Sequence, residues 1–328
     1  MRVAAIDIGT NSVLLLVAEA RGGELVPVIE RARITRLGQG VDRSRALAPE
    51  AVARTIEALE AFGEELRAAG AERVAAVGTS AMRDAEGGAM FRARAGAILG
   101  AEPQVISGDE EAALTFAGAL TGLPSALQEG AVTVFDLGGG STEIIIGDRG
   151  QPIESESLDI GSVRLTERHV RSDPPGAEAI AAIAADARRA LMGAKVKPRL
   201  GTRGGPREDQ PGLTSTRPLI GVAGTVTTLA AFVRGVVPYD SARIHGARLT
   251  AEEVARARIE LAEAKLAHRR ELPGIAKERA DVIVAGAVIV EELLAWAGAN
   301  ELFVSDRGVR WGLARRLAYG STGAVSTP

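Results

Sequence analysis

Two stretches of the chain repeat one pattern of apolar and polar positions. Residues 4–20 (AAIDIGTNSVLLLVAEA) and 133–148 (TVFDLGGGSTEIIIGD) each run apolar, reach an Asp, turn through Gly and hydroxyl side chains, and return to a second apolar run. Short apolar runs bounded by turn residues read as buried strands. The first half predicts strands at 3–6, 13–19 and 25–34, then a helix that has Pro49 near its start and Gly70 past its end. Val52, Ile56, Leu59 and Leu66 recur along that helix at helical spacing. A strand RVAAV, a helix at 89–99, a strand PQVIS and a helix from Asp109 complete the order βββαβαβα.

After the connector TGLPSALQEG the order begins again. AVTVF, TEIII and QPIESESLD read as strands, followed by helical segments, a strand LIGVA, helices at 251–267 and 279–297, a strand ELFVS and a helix at 309–317. The expected fold class is therefore α/β, a duplicated hairpin-led unit whose two copies face a cleft, with ligand bound where the two turns converge. The expected boundaries are a first domain at 1–125, a second at 126–319 with a mobile Gly/Pro/Arg-rich insertion at about 196–217, and a flexible tail at 320–328.

Composition narrows the functional classes. At 328 residues, 46% hydrophobic and 25% charged, the chain reads as an ordinary globular protein large enough for two cores. A net charge of −3 gives no global attraction for a polyanion such as DNA, so any anion site has to be local. The absence of cysteine excludes disulfides, thiolate metal sites and a Cys nucleophile. VLLLVA is too short to span a bilayer, and VIVAGAVIVEELLAWAG carries Glu291 and Glu292 and reads as a buried helix. The expectation is a cytoplasmic protein with no membrane partner. No phosphate-binding lysine precedes Lys195, and no P-loop or Gly-x-Gly-x-x-Gly motif occurs.

What remains is the chemistry of the turns. Gly9, Thr10, Asn11 and Ser12 offer backbone N–H groups and neutral donors, and Gly138, Gly139 and Gly140, followed by Ser141 and Thr142, leave the backbone open to an anion. A plain hairpin also needs Gly and polar residues; the recurrence of the turn at matching positions favours a site. Asp7 and Asp136 stand at equivalent strand ends, and a hairpin returns Glu143 toward Asp136. Such hard oxygen ligands suit Mg²⁺, although each Asp also suits a turn cap. Ser107 and Glu110 form a capping-box pattern that starts a helix and sets Asp109, Glu110 and Glu111 in its first turn. Local pattern does not choose among the three as a base.

Nine segments resemble, in order, the exopolyphosphatase and guanosine pentaphosphate phosphohydrolase family: AAIDIGTNSVLLLVAE, GTSAMRDA, VISGDEEA, VFDLGGGSTEIIIG, SLDIGSVRLTE, IGVAGTVTTLA, IHGARLT, ERADVIVAGAVIVEELL and SDRGVRWGL. The resemblance implies two ribonuclease-H-like domains of the superfamily that includes actin, Hsp70 chaperones and sugar kinases. It implies Glu111 as the base that activates water, Asp136 and Glu143 with Asp7 as ligands of Mg²⁺, and both turns together with Arg83 as phosphate contacts. The implied reaction is release of terminal orthophosphate from polyphosphate. Hydrolysis of pppGpp to ppGpp is the alternative substrate, and an ATP-driven module of the actin kind is the rival of another class. A homodimer is also implied. His245 belongs to one of the segments, but no role is implied for it.

Overall fold

The computed structural model describes residues 1–78, 82, 85–198 and 217–320. Arg83, the centre of the expected insertion (199–216) and the end of the expected tail (321–328) lie outside the described residues. Contacts divide the chain into two units, the first made of residues 1–118 and the segment from Val309, the second of Ala119–Gly308.

The first unit is built on strands β1 (Arg2–Ile8), β2 (Ser12–Arg21), β3 (Glu24–Ile34), β4 (Arg73–Gly78) and β5 (Gln104–Val105), in the sheet order β3-β2-β1-β4-β5. β1, β2 and β3 form an antiparallel meander, while β4 and β5 join parallel. Its helices are α1 (Pro49–Ala68), α2 (Gly88–Leu99) and α3 (Gly108–Leu120), whose last two residues fall in the second unit. Both faces of β1 are covered. Ala4, Ile6 and Ile8 pack with Ile56, Leu59, Phe62 and Phe91, whereas Val3 and Ala5 pack with Leu114, Trp311 and Leu313. A strand buried on both faces reads as a continuous apolar run, which explains the sequence at 3–8.

The second unit repeats the plan with β6 (Val132–Leu137), β7 (Thr142–Asp148), β8 (Gln151–Leu158), β9 (Leu219–Val222), β10 (Arg248–Thr250) and β11 (Glu301–Val304), in the order β10-β11-β9-β6-β7-β8. The meander β6-β7-β8 and the parallel neighbours β9 and β11 match the first sheet, and β10 is an added antiparallel edge. Its helices are α4 (Ser162–His169), α5 (Ala177–Gly193), α6 (Ala223–Arg234), α7 (Ala251–Glu263) and α8 (Ile283–Ala297). The duplicated ribonuclease-H-like order expected from the sequence is present in both sheets.

α8 is the helix of VIVAGAVIVEELLAWAG, and every residue from Ile283 to Val290 is buried. It starts at Ile283 rather than at 279, because residues 277–279 form a separate 3₁₀ turn. Its close packing on α6 depends on Gly286, where a Cβ would stand 2.2 Å from Thr225 Cγ2. Among the described residues no helix is long and apolar enough to cross a membrane.

One boundary differs from the sequence expectation. The sequence pattern places the last helix, α9 (Val309–Tyr319), in a second domain ending at 319, but its contacts lie with the first unit. The face of β1 and β2 opposite α1 and α2 is apolar and needs a cover, and Val309, Trp311, Leu313 and Ala314 supply it. Gly312 permits the approach, since a Cβ there would stand 2.0 Å from Leu114 O.

Candidate active site

The β1–β2 and β6–β7 turns share one backbone plan. Gly9 N–H donates to Ser12 O at 2.9 Å, and Gly138 N–H donates to Ser141 O at 3.0 Å. A Cβ at either glycine would stand 3.2 Å from that same acceptor. Gly9, Thr10, Asn11 and Ser12 therefore correspond to Gly138, Gly139, Gly140 and Ser141.

A trans peptide points its N–H opposite to its C=O, so whatever holds the carbonyls of a turn aims its N–H groups. In the first turn Thr10 O accepts from Gly38 N–H (2.9 Å), and Asn11 O accepts from the N–H groups of Thr35 (3.1 Å) and Arg36 (2.9 Å). In the second turn Gly138 O accepts from Ser162 N–H (3.1 Å), and Gly139 O accepts from Val163 N–H (2.9 Å) and Arg164 N–H (3.0 Å). Gly140 O accepts from Arg164 Nε at 2.6 Å. The start of α4 thus gathers three successive carbonyls on one side and turns the N–H groups of Gly139, Gly140 and Ser141 to the other. Three successive N–H groups facing one way form a concave anion site.

The segment SLDIGSVRLTE, residues 157–167, packs behind the second turn. Gly161 lies so close behind the turn that a Cβ would stand 2.4 Å from Gly139 O and 2.5 Å from its carbon. Gly38 does the same service for the first turn, with a Cβ position 2.2 Å from Thr10 Cγ2. The signal in both cases was a glycine outside the turn itself, with no local reason to be glycine. Thr142 is a correction to the expected phosphate donors. It is fully buried and its hydroxyl donates to Ile160 O at 2.6 Å, so it ties β7 to the segment before α4 and has no hydrogen to offer a ligand.

The carboxylates fall into two places. Asp136 and Glu143 are directly opposite one another on β6 and β7. Such opposed like charges repel in a bare sheet, and a cation between them removes the penalty. Glu143 Oε1 accepts from Ser157 Oγ at 2.8 Å. Burial pushes its carboxyl above the usual range, against hydrogen bonds from Ser141 and Ser157 that lower it. Two opposed carboxylates offer oxygen donors of the kind that suit a hard divalent ion that keeps several waters.

Asp7 stands at the corresponding end of β1 in the first unit. Its Oδ1 is enclosed and accepts no hydrogen bond among the described residues. Burial raises its pKa to about 6, opposed by the charge of Arg310 on α9. Arg310, which the sequence reading did not single out, also donates to Glu30 Oε2 at 2.9 Å. Among the described residues no three Asp, Glu, His or Cys side chains gather as a metal cluster.

At the start of α3 the structure distinguishes the three acids. Ser107 Oγ accepts from Glu110 N–H at 3.2 Å, which is the expected cap, and Glu111 N–H donates to Ser107 O at 2.9 Å. The Glu110 side chain turns away to an ion pair with Arg316. Asp109 is exposed, and Glu111 is half-buried in the first turn of the helix.

Val222 of β9 lies beside Asp136, and Ala223 after it has φ 73°, a left-handed conformation uncommon outside glycine. Arg279 covers the next residue, Gly224, where a Cβ would stand 2.1 Å from Nη2. His245 is taken up by a polar cluster, with Nδ1 3.4 Å from Asp306 Oδ1 and 3.3 Å from Ser305 Oγ.

Known proteins resemble the chain in sequence and in fold. The sequence signature of the Ppx/GppA phosphatase family matches residues 16–318. Exopolyphosphatase 2 of Mycobacterium tuberculosis is 42% identical, over 97% of this chain and 98% of that protein. The crystal structure of the Aquifex aeolicus Ppx/GppA family member is 33% identical over 96% of both chains, with a TM-score of 0.79. An exopolyphosphatase from Cytophaga hutchinsonii, at 24% identity and a TM-score of 0.81, shares the fold.

Proposed function

The chain belongs to the Ppx/GppA phosphatase family, and from that membership we propose that it is an exopolyphosphatase that hydrolyses the terminal phosphoanhydride of inorganic polyphosphate. The observation that carries the reading is the second turn, where three aligned N–H groups of Gly139, Gly140 and Ser141 adjoin the opposed carboxylates Asp136 and Glu143. Neutral donors beside a carboxylate pair suit a phosphoryl group that arrives with a divalent cation.

Phosphoryl transfer needs alignment and charge neutralisation more than covalent chemistry. The N–H groups of the second turn take up charge on the equatorial oxygens of the terminal phosphoryl group. The first turn, Gly9 to Ser12, offers Asn11 N–H and the hydroxyls of Thr10 and Ser12 as phosphate donors in its own unit. Asp136 and Glu143 would hold magnesium, which supplies Lewis-acid stabilisation of phosphoryl charge when bound. Glu111 orients the attacking water and takes its proton as the water oxygen bonds to phosphorus and the bridging P–O bond breaks. Glu111 lies in the first turn of α3, where the helix dipole favours negative charge. The leaving group is a phosphate chain that departs as an anion, so no general acid is required.

The test is initial phosphate release by the purified protein with magnesium and, separately, polyphosphate, pppGpp or ATP. Polyphosphate is expected to be preferred, and Glu111→Gln to lower kcat by about 10²- to 10⁴-fold with an unchanged melting temperature. Preference for pppGpp would move the assignment to the nucleotide, turnover of ATP alone would replace it with a nucleotide-driven module, and an unimpaired variant would remove Glu111 from the mechanism.

A further inference from the structure

The two turns match residue for residue, but one of their carbonyls is held by different means. In the first turn Asn11 O takes backbone N–H groups from Thr35 and Arg36. At the equivalent position of the second turn, Gly140 O takes its bond from a side chain, Arg164 Nε, at 2.6 Å. Of the two residues that flank this peptide, Gly140 has no Cβ to resist rotation and Ser141 has one. Three successive glycines, 138 to 140, lack the Cβ atoms that restrict backbone dihedrals elsewhere. A turn chosen for openness to an anion is therefore also open to a peptide flip, which would replace the Ser141 N–H with the Gly140 carbonyl and set a negative dipole against phosphate.

We infer that Arg164 is a positioning residue that fixes the polarity of the Gly140–Ser141 peptide and so completes the anion site. Its guanidinium is suited to the task. The main chain of Arg164 is itself anchored, its N–H donating to Gly139 O at 3.0 Å, so the side chain reaches the next carbonyl from a fixed base. On its far side Nη2 stands 3.5 Å from Asp159 Oδ1, which steadies the plane of the group. Arg164 acts from the carbonyl side of the turn, opposite to the side the N–H groups face, so its contribution passes through the peptide rather than through contact with substrate. The first turn has no equivalent weak point, because side-chain substitution leaves its backbone donors in place.

This inference rests on the polyphosphatase reading, and the experiment separates the two. Arg164→Gln carries an amide nitrogen at the side-chain position of Arg Nε, so it keeps the donor and loses the charge. Arg164→Met has a methyl group there and loses both. Initial rates on polyphosphate with magnesium are measured for the wild type and both variants, with melting temperatures recorded alongside. Arg164→Met is expected to lose about 10- to 100-fold in kcat, somewhat less than full removal of an oxyanion-type donor, with a smaller change in KM. Arg164→Gln is expected to recover most of that loss. Equal impairment of both variants would assign the effect to charge or to folding and overturn the inference, as would a Met variant within twofold of wild type. A wild-type protein without polyphosphatase activity would instead overturn the reading beneath it.

Discussion

Asp7 is a carboxylate in a place that disfavours its charge, and its removal has a calculable effect. Burial lifts its pKa from 3.8 to about 6 despite the opposing charge of Arg310. A shift of about two units corresponds to about 3 kcal/mol, at 1.36 kcal/mol per unit. The folded protein holds the Asp7 proton between those two values and the unfolded chain does not, so stability falls as pH rises through this window. Below about pH 4 the penalty is absent, and above about pH 6 it is fully expressed. Asp7→Asn removes the titration while keeping the shape. The difference in unfolding free energy between variant and wild type should therefore shift in favour of the variant by about 3 kcal/mol between pH 4 and pH 8, without divalent cations. The protein has two tryptophans, so a Trp296→Phe background leaves Trp311 as the reporter. Trp311 is buried in the first unit against the strand that carries Asp7, and its fluorescence during urea unfolding follows that unit. If Asp7 contributes to cation binding, magnesium should stabilise the wild type more than the variant at pH 8. A variant-to-wild-type difference that is flat across this pH range would refute the buried-charge argument.

Two further substitutions test the packing behind the site and the cover of the first sheet. Gly161→Ala places a Cβ 2.4 Å from Gly139 O, so the second turn has to shift; kcat on polyphosphate should fall at least tenfold, and overpacking should cost about 1–3 kcal/mol in urea unfolding. A Gly161→Ala enzyme with wild-type kinetics would mean that the turn is not the phosphate cradle. Trp311→Ala removes a side chain that is 1% exposed and should cost about 3–5 kcal/mol of stability, with the loss confined to the first unit when each unit's unfolding is followed by hydrogen exchange. Loss of protection in the second unit instead would contradict the assignment of α9.

The sequence by itself determined the elements whose causes are local. The apolar runs at 3–8 and 132–137, the Gly and hydroxyl turns after them, Pro49 and Gly70 around α1, and Ser107 at the cap of α3 all act within a few residues of where they are read. The duplication was legible for the same reason, since each copy restates the strand–turn–strand pattern, and the opposed pair Asp136 and Glu143 followed from hairpin register. Tertiary structure alone decided features whose causes are distant in the chain. α9 joined the first sheet because an uncovered apolar face there needed Trp311, and no local pattern in VRWGLARRLAY states which sheet it covers. Thr142 looked like a donor in the turn, but its hydroxyl was already committed to Ile160, 18 residues away. No local pattern singles out Arg164, whose Nε meets a carbonyl 24 residues earlier. Side-chain type and spacing fix what a residue can offer; which partner takes the offer depends on which segments the packed core brings together, and that is set by burial over the whole chain.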